Sequence, residues 1–198
     1  LIRSIPKNII IPETINDETI IGIGSNAFDS QGLTSVVLSD NITTIGRGAF
    51  EGNNLSNVEL GDAVTIIQES AFASNNLSNI TLPASLTTLQ PQAFENNQLT
   101  SVTIPTTVTS IGARAFNDNK IVIVEIPGSV INIEVNAFSN NELATITLNE
   151  GIKSIGTNAF DNNDLTSVNI PSTVTNIGAS AFANNLGLSS FTLPNDGN

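Results

Sequence analysis

The chain of 198 residues contains no cysteine and no histidine. The first absence excludes a disulfide framework and thiolate metal sites, and is compatible with any redox compartment. The second removes the commonest general base and the commonest metal ligand. Tryptophan, tyrosine and methionine are missing too. Six basic residues stand against 18 acids, a net charge of −12. Phosphate binding needs clustered Lys and Arg, as does attraction to anionic lipid. Nucleic acid and membrane surfaces are therefore not expected partners. The acidity can recruit cations or basic partners, or can simply keep an elongated chain soluble by self-repulsion. No apolar run reaches the roughly 18 residues of a membrane span, so no membrane insertion is expected. The chain begins at Leu1 without a recognisable leader, as expected of a piece of a longer protein.

What is present is a repeat. Eight of the nine phenylalanines, Phe28, Phe50, Phe72, Phe94, Phe116, Phe138, Phe160 and Phe182, are spaced 22 apart, each after an alanine. A fixed period of this size is the signature of a solenoid, which grows coil by coil and has no single compact core. The period predicts that each Phe stacks on the next. Residues 1–19 fit the repeat poorly and read as an irregular first coil or cap. Residues 20–198 read as one continuous solenoid. Phe191 lies outside the column, in a last coil lengthened by one residue. It replaces an inward Val, which predicts burial.

Each regular coil opens with a Leu-x-x-Val-x-Ile unit, such as Leu99, Val102 and Ile104. Its alternation predicts a short strand, stacked into a parallel sheet at about 4.8 Å spacing. Proline follows at 83, 105, 127, 171 and 194, where its missing N–H ends the ladder. Ser39, Gly61 and Asn149 take that place elsewhere. A second apolar pair, such as Val108 and Ile111, predicts a shorter extended segment on the other side. Gly112 and its counterparts predict a turn that prefers left-handed φ, and hence strain at Glu134, which occupies the same place. The segment 113–116 predicts one helical or 3-10 turn. The column Gln31, Asn53, Asn75, Asn97, Asn119, Asn141, Asn163 and Asn185 is open to two readings. It is an inward amide ladder, or a set of solvent-facing turn residues.

The string L-T-S-V-x-I-P-x-x-V-T-x-I-G-x-x-A-F-x-x-N, read at Leu99–Asn119, resembles the BspA-like class of leucine-rich repeats over about residues 20–194. The resemblance implies a right-handed leucine-rich-repeat solenoid with the Leu-x-x-Val-x-Ile strands on one face. It also implies a secreted or cell-surface protein of a bacterium or protist, acting in adhesion or in binding host proteins. The coil here is 22 residues, where members often have one more, and lacks the Cys or Tyr they frequently carry near the Phe corner.

No catalytic constellation emerges. A triad needs a base such as His, and the GIG at 22–24 lacks the further glycine of a phosphate loop. Glu59 and Glu125, the acids on the outer strand face, lie three coils or about 14 Å apart. That is too far for paired-carboxylate chemistry. The runs 161–164 and 117–119 offer oxygen ligands of the kind calcium takes, but without a calcium-loop spacing they read as plain turns. No enzyme activity and no cofactor is expected. The expected role is a binding module whose strand face meets a protein, on a host or neighbouring cell, or a glycan. That face carries Asn57, Glu59, Asn79, Thr81, Ser101, Thr103, Val122, Ile123, Glu125, Thr145 and Thr147, and reads as broad and flat. Val122 and Ile123 form its apolar spot. The alternative is a structural spacer in a larger surface protein, favoured by the absence from that face of the Trp, Tyr and Arg that interfaces use as anchors. A regular Thr and Ser lattice for ice or crystals is a third reading, against which the Glu and Ile interruptions count.

Overall fold

The computed structural model describes residues 7–194. Residues 1–6 of the irregular opening, and 195–198, lie outside the described residues. The fold is a parallel β-solenoid of eight coils, one for each phenylalanine of the column. Neighbouring rings stack from Phe28 to Phe182 with centroids 5.1–5.7 Å apart and planes within 16° of parallel. That separation lies in the favourable range for offset aromatic pairs. Leu99, Val102, Ile104, Val108 and Ile111, with their counterparts in the inner coils, fill the rest of the core. Phe191 departs from expectation. It pairs in register with Val168, yet it is 44 % exposed and meets Phe182 edge-on at 5.5 Å. No coil among the described residues covers its outer side.

Two faces flank this core. On the back, two-residue segments such as Ser110–Ile111 and Asn132–Ile133 form an uninterrupted eight-stranded parallel ladder. On the front, the Leu-x-x-Val-x-Ile segments form a discontinuous one. Asn8–Ile11, Ser35–Leu38 and Asn57–Glu59 make three strands, Ile123–Ile126 and Thr145–Leu148 two, and Ser167–Asn169 and Ser190–Thr192 two more. Residues 79–82 and 101–104 are unpaired apart from one bridge, Ser101 to Ile123.

The proline column accounts for these breaks. Where Ser39, Gly61 or Asn149 follows the later strand, the ladder with the coil before it is closed. Asn149 N–H donates to the Ile126 oxygen at 3.2 Å. Where Pro83, Pro105, Pro127 or Pro171 stands there, the donor is missing and the ladder is open. The last coil, followed by Pro194, is the exception and pairs with the one before it.

The Phe corner is not helical, and no helix occurs among the described residues. Residues two before and two after each Phe of the column are left-handed, as at Arg114 (φ 58°) and Asp118 (φ 58°). This alternation aims the N–H groups of Arg114, Phe116 and Asp118 at the carbonyls of Val135, Ala137 and Ser139 in the next coil. In a helix they would point along their own axis. Gly112 and Glu134 are not left-handed, so neither carries the strain expected of that place. Glycine serves there for another reason: a Cβ at Gly112 would lie 2.5 Å from the Gln90 carbonyl carbon. Where glutamine replaces it, Gln68 and Gln90 accept the N–H of Arg47 and Glu69 one coil below.

The Asn column is an internal ladder. Asn119 donates to the oxygens of Phe94, Phe116 and Asn117, and accepts the N–H of Leu99 at 3.0 Å. From Asn53 to Asn185 the column is buried. Gln31, on the first coil, is exposed and reaches only the Asp29 oxygen.

Before Ile20 the first coil adds an antiparallel hairpin, Thr14–Ile15 with Glu18–Thr19. Its two central residues, Asn16 and Asp17, are both left-handed, as a two-residue hairpin of this twist requires.

Candidate functional site

Strand alternation sends Val102, Ile104, Val124 and Ile126 into the core and leaves the odd-numbered residues outside. The eleven front-face positions named from sequence are all exposed: Asn57, Glu59, Asn79, Thr81, Ser101, Thr103, Val122, Ile123, Glu125, Thr145 and Thr147. Val122 is 44 % and Ile123 56 % exposed. Ile123 sits beside Ser101 on one side and Thr145 on the other. Glu125 is beside Thr147, and its Oε1 accepts from Asn149 Nδ2 at 2.8 Å.

The face is not flat. Where proline opens the ladder, three successive clefts separate the coils. A cavity of about 380 Å³ lies between the coil of Val102 and Ile104 and that of Ile123, Val124 and Pro127. Ser101, Thr103, Thr106 and Glu125 form its polar margin. A second, of about 320 Å³, lies beside Pro105 between Leu82 and Ile104. A third, of about 240 Å³, lies beside Pro83 and carries Glu59 and Asp62. The first two fall in the lower part of the size range of small-molecule and side-chain pockets. Sequence reasoning named the outward residues but missed the cleft walls, Val102, Ile104, Val124 and Pro127. The signal was the alternation of Pro with Ser, Gly and Asn after the strand.

The front face is electronegative. Its segments and flanking turns between residues 55 and 152 carry Glu59, Asp62, Glu125, Glu142 and Glu150, against Lys120. Glu150 of this set, and Glu51 outside it, are held by local bonds or shifted by neighbours. Glu150 accepts the N–H groups of Ser172 and Thr173 and the Ser172 hydroxyl, which lowers its pKa below the usual carboxylate value. Glu51, at the Phe corner, is pushed up by partial burial and by the charges of Asp29, Glu69 and Glu95, with Arg47 opposing. Among the described residues no group of three or more acids comes together to hold a metal ion. The described residues include no helix long and apolar enough to cross a membrane.

The back face contrasts with the front. Its ladder is closed, and the outward hydroxyls of Thr65 and Thr87 donate to carbonyls of the coil below. A larger hollow of about 730 Å³ lies at the last coil among Ile170, Val174, Ile177 and Leu193. It lies at the end of the core, which no coil among the described residues covers, and has no charged residue in its lining.

Comparison with known proteins gives two kinds of match. The family model for the BspA-type leucine-rich repeat region matches six copies, over residues 6–122 and 109–198. Among solved structures, the Treponema pallidum leucine-rich repeat protein is 22 % identical with a TM-score of 0.64, covering 92 % of this chain and 78 % of that one. A leucine-rich repeat protein from Bacteroides ovatus is 21 % identical with a TM-score of 0.63, covering 93 % of this chain and 62 % of that one. The pneumococcal vaccine antigen PcpA is 19 % identical with a TM-score of 0.52, covering 98 % and 74 %. At these identities the likeness is one of fold. No curated protein sequence matches the chain.

Proposed function

Because this chain belongs to the BspA-type leucine-rich repeat family, we propose that it is a non-enzymatic protein-binding module of a secreted or surface protein, engaging its partner through the front face. The observation that carries this reading is the broken strand ladder of the front face, set against the continuous ladder of the back. The back ladder is closed and its hydroxyls are partly consumed by carbonyls. The front is opened by prolines into clefts, beside which Val122 and Ile123 remain exposed. An apolar spot rimmed by polar groups is what a protein partner can anchor on. The family and its solenoid fold are typically non-enzymatic. Placement outside the cell is supported by the family resemblance and by the fold shared with a pneumococcal vaccine antigen.

The test is capture from a panel of cell-surface and matrix proteins and glycans by the immobilised chain, with Ile123→Asp on the front and Thr87→Asp on the back. The expected result is a retained protein that Ile123→Asp releases and Thr87→Asp does not, with both variants melting like the parent. Release by Thr87→Asp alone would move the site to the back. The spacer reading rests on one observation, the ring stack and amide ladder running through the coils without interruption. Failure to retain any protein or glycan favours it.

A further inference from the structure

The proline-built cleft between the coils of Val102 and Val124 has an apolar floor and an acidic margin. Resting on the front-face reading above, we propose that it is a docking site for a basic protein segment, one that inserts a branched apolar side chain between flanking lysines or arginines. The floor sets the first requirement. Val102, Ile104, Val124 and Pro127 line about 380 Å³, and Ile123 stands at the mouth. No charged group of the lining reaches that floor except Glu125, which is exposed at the margin. An aliphatic side chain entering it loses water from apolar surface on both sides, the usual source of attraction for such a pocket.

The charge sets the second requirement. Glu125 sits on the lip, and Glu142 ends the coil that carries Val124. The chain as a whole carries −12. An acidic segment would meet repulsion over the whole face, and a neutral one would gain nothing from it. A cationic segment is steered toward the cleft and held at its rim. One Glu125 oxygen accepts from Asn149 of the following coil at 2.8 Å, on the side away from the cleft, and the residue stays exposed at the lip.

Pro127 makes the cleft. In the next coil Asn149 occupies the same place, donates to Ile126, and the ladder there is closed. The cleft is therefore removable by a residue the fold already accepts in that column.

The experiment uses three blocked heptapeptides as probes. The first has isoleucine between two pairs of lysines, the second has serine there, and the third replaces the lysines by glutamates. Amide shifts of the labelled chain locate binding, and a titration at low and moderate salt measures it. The expected result is that the lysine–isoleucine peptide shifts amides of residues 101–106 and 122–127. The serine peptide should bind at least about five-fold more weakly, and the glutamate peptide should not bind. Glu125→Gln should weaken the first peptide about three- to ten-fold and flatten its salt dependence. Pro127→Asn should abolish the localised shifts without lowering the melting temperature. Equal binding of the glutamate peptide, shifts confined to the back face, or unchanged affinity in both variants would overturn the proposal. If Ile123→Asp still releases a captured protein while the basic peptide fails, this inference falls and the front-face reading stands.

Discussion

The side-chain nitrogen of Asn119 donates to the backbone oxygen of Phe94, 2.9 Å away and one coil below. The same nitrogen serves Phe116 and Asn117 in its own coil, and the side-chain oxygen accepts the Leu99 N–H. One buried amide thus answers four backbone groups, three of them on the buried residues Phe94, Phe116 and Leu99. Asn119→Ala leaves the Leu99 N–H without a partner, while the Phe94, Phe116 and Asn117 oxygens each lose one donor and keep Asn97, Asn141 and the Asn96 N–H. At about 1–3 kcal/mol for one unsatisfied buried group, the loss is about 1–3 kcal/mol. Asn119→Asp is worse at neutral pH, because a carboxylate oxygen then faces three carbonyls. Burial among acceptors raises that carboxyl's pKa, so its penalty is present above the raised value and eases as pH falls. Denaturant melts of both variants at neutral pH and at about pH 4, near the ordinary carboxylate range, check the sign. An Asp variant as stable as the Ala variant at neutral pH contradicts the ladder.

The ring column predicts a graded series. Phe116 is fully buried between Phe94 and Phe138, and Phe116→Ala costs about 3–5 kcal/mol. Phe182 is only partly buried, at the end of the stack, so Phe182→Ala costs less. Phe191, 44 % exposed, tolerates Phe191→Ser at a cost below about 1.5 kcal/mol. Melting curves of the three variants give the order directly. Equal losses at all three positions would mean that coil position does not govern burial.

Residue identity made some of this architecture legible and left some of it hidden. The Phe column could be read because a single bulky type recurs in fixed register. The inside and outside of Val124 and Glu125 could be read because strand alternation has period two. The Asn column was legible as a place but not as a direction. The left-handed residue turned out to be its predecessor, Asp118, which freed the Asn119 side chain to point inward. The corner was misread as helical because Ala-Arg-Ala-Phe suits a helix, whereas bonds from Phe116 to Ala137 decide its shape. The clefts escaped because they depend on pairs of coils. Pro127 opens the ladder to Ile104, a residue 23 positions earlier, and no single-repeat pattern displays that relationship.

Backbone strain sits at Arg114 and not at Glu134. Arg114 has φ 58° without being glycine, a conformation that costs an L-residue about 1–2 kcal/mol. Its ion pair with Glu95, at 3.9 Å and mostly exposed on the Arg side, contributes little. Arg114→Gly therefore stabilises by about 0.5–1 kcal/mol after glycine's own entropy cost. Glu134→Gly relieves nothing, and is neutral or destabilising by up to about 1 kcal/mol. Gly112→Val is clearly destabilising, because its Cβ would meet the Gln90 backbone at 2.5 Å. Chemical denaturation of the three variants separates the positions. A gain for Glu134→Gly with none for Arg114→Gly would reverse the assignment.

Glu51 gives a prediction in pH. Partial burial raises its pKa above the ordinary 4.5, and Asp29, Glu69 and Glu95 add to the effect while Arg47 opposes it. A carboxyl whose folded pKa is raised binds its proton more tightly in the folded chain than in the unfolded one. Its contribution to stability is therefore present below 4.5 and is lost as pH rises through the raised folded value. At neutral pH the ionised group is a liability that Glu51→Gln removes. The variant should melt higher than the parent at neutral pH, and the difference should vanish once both states are protonated. Salt distinguishes the two causes. It screens the repulsion from Asp29, Glu69 and Glu95 but leaves desolvation in place. Because desolvation is the larger cause, most of the gain should survive in about 0.5 M salt, where the screening length is only a few ångströms. A gain that disappears entirely in salt would make the neighbouring acids the dominant cause. A variant that melts lower than the parent at neutral pH would show that the ionised side chain stabilises this corner.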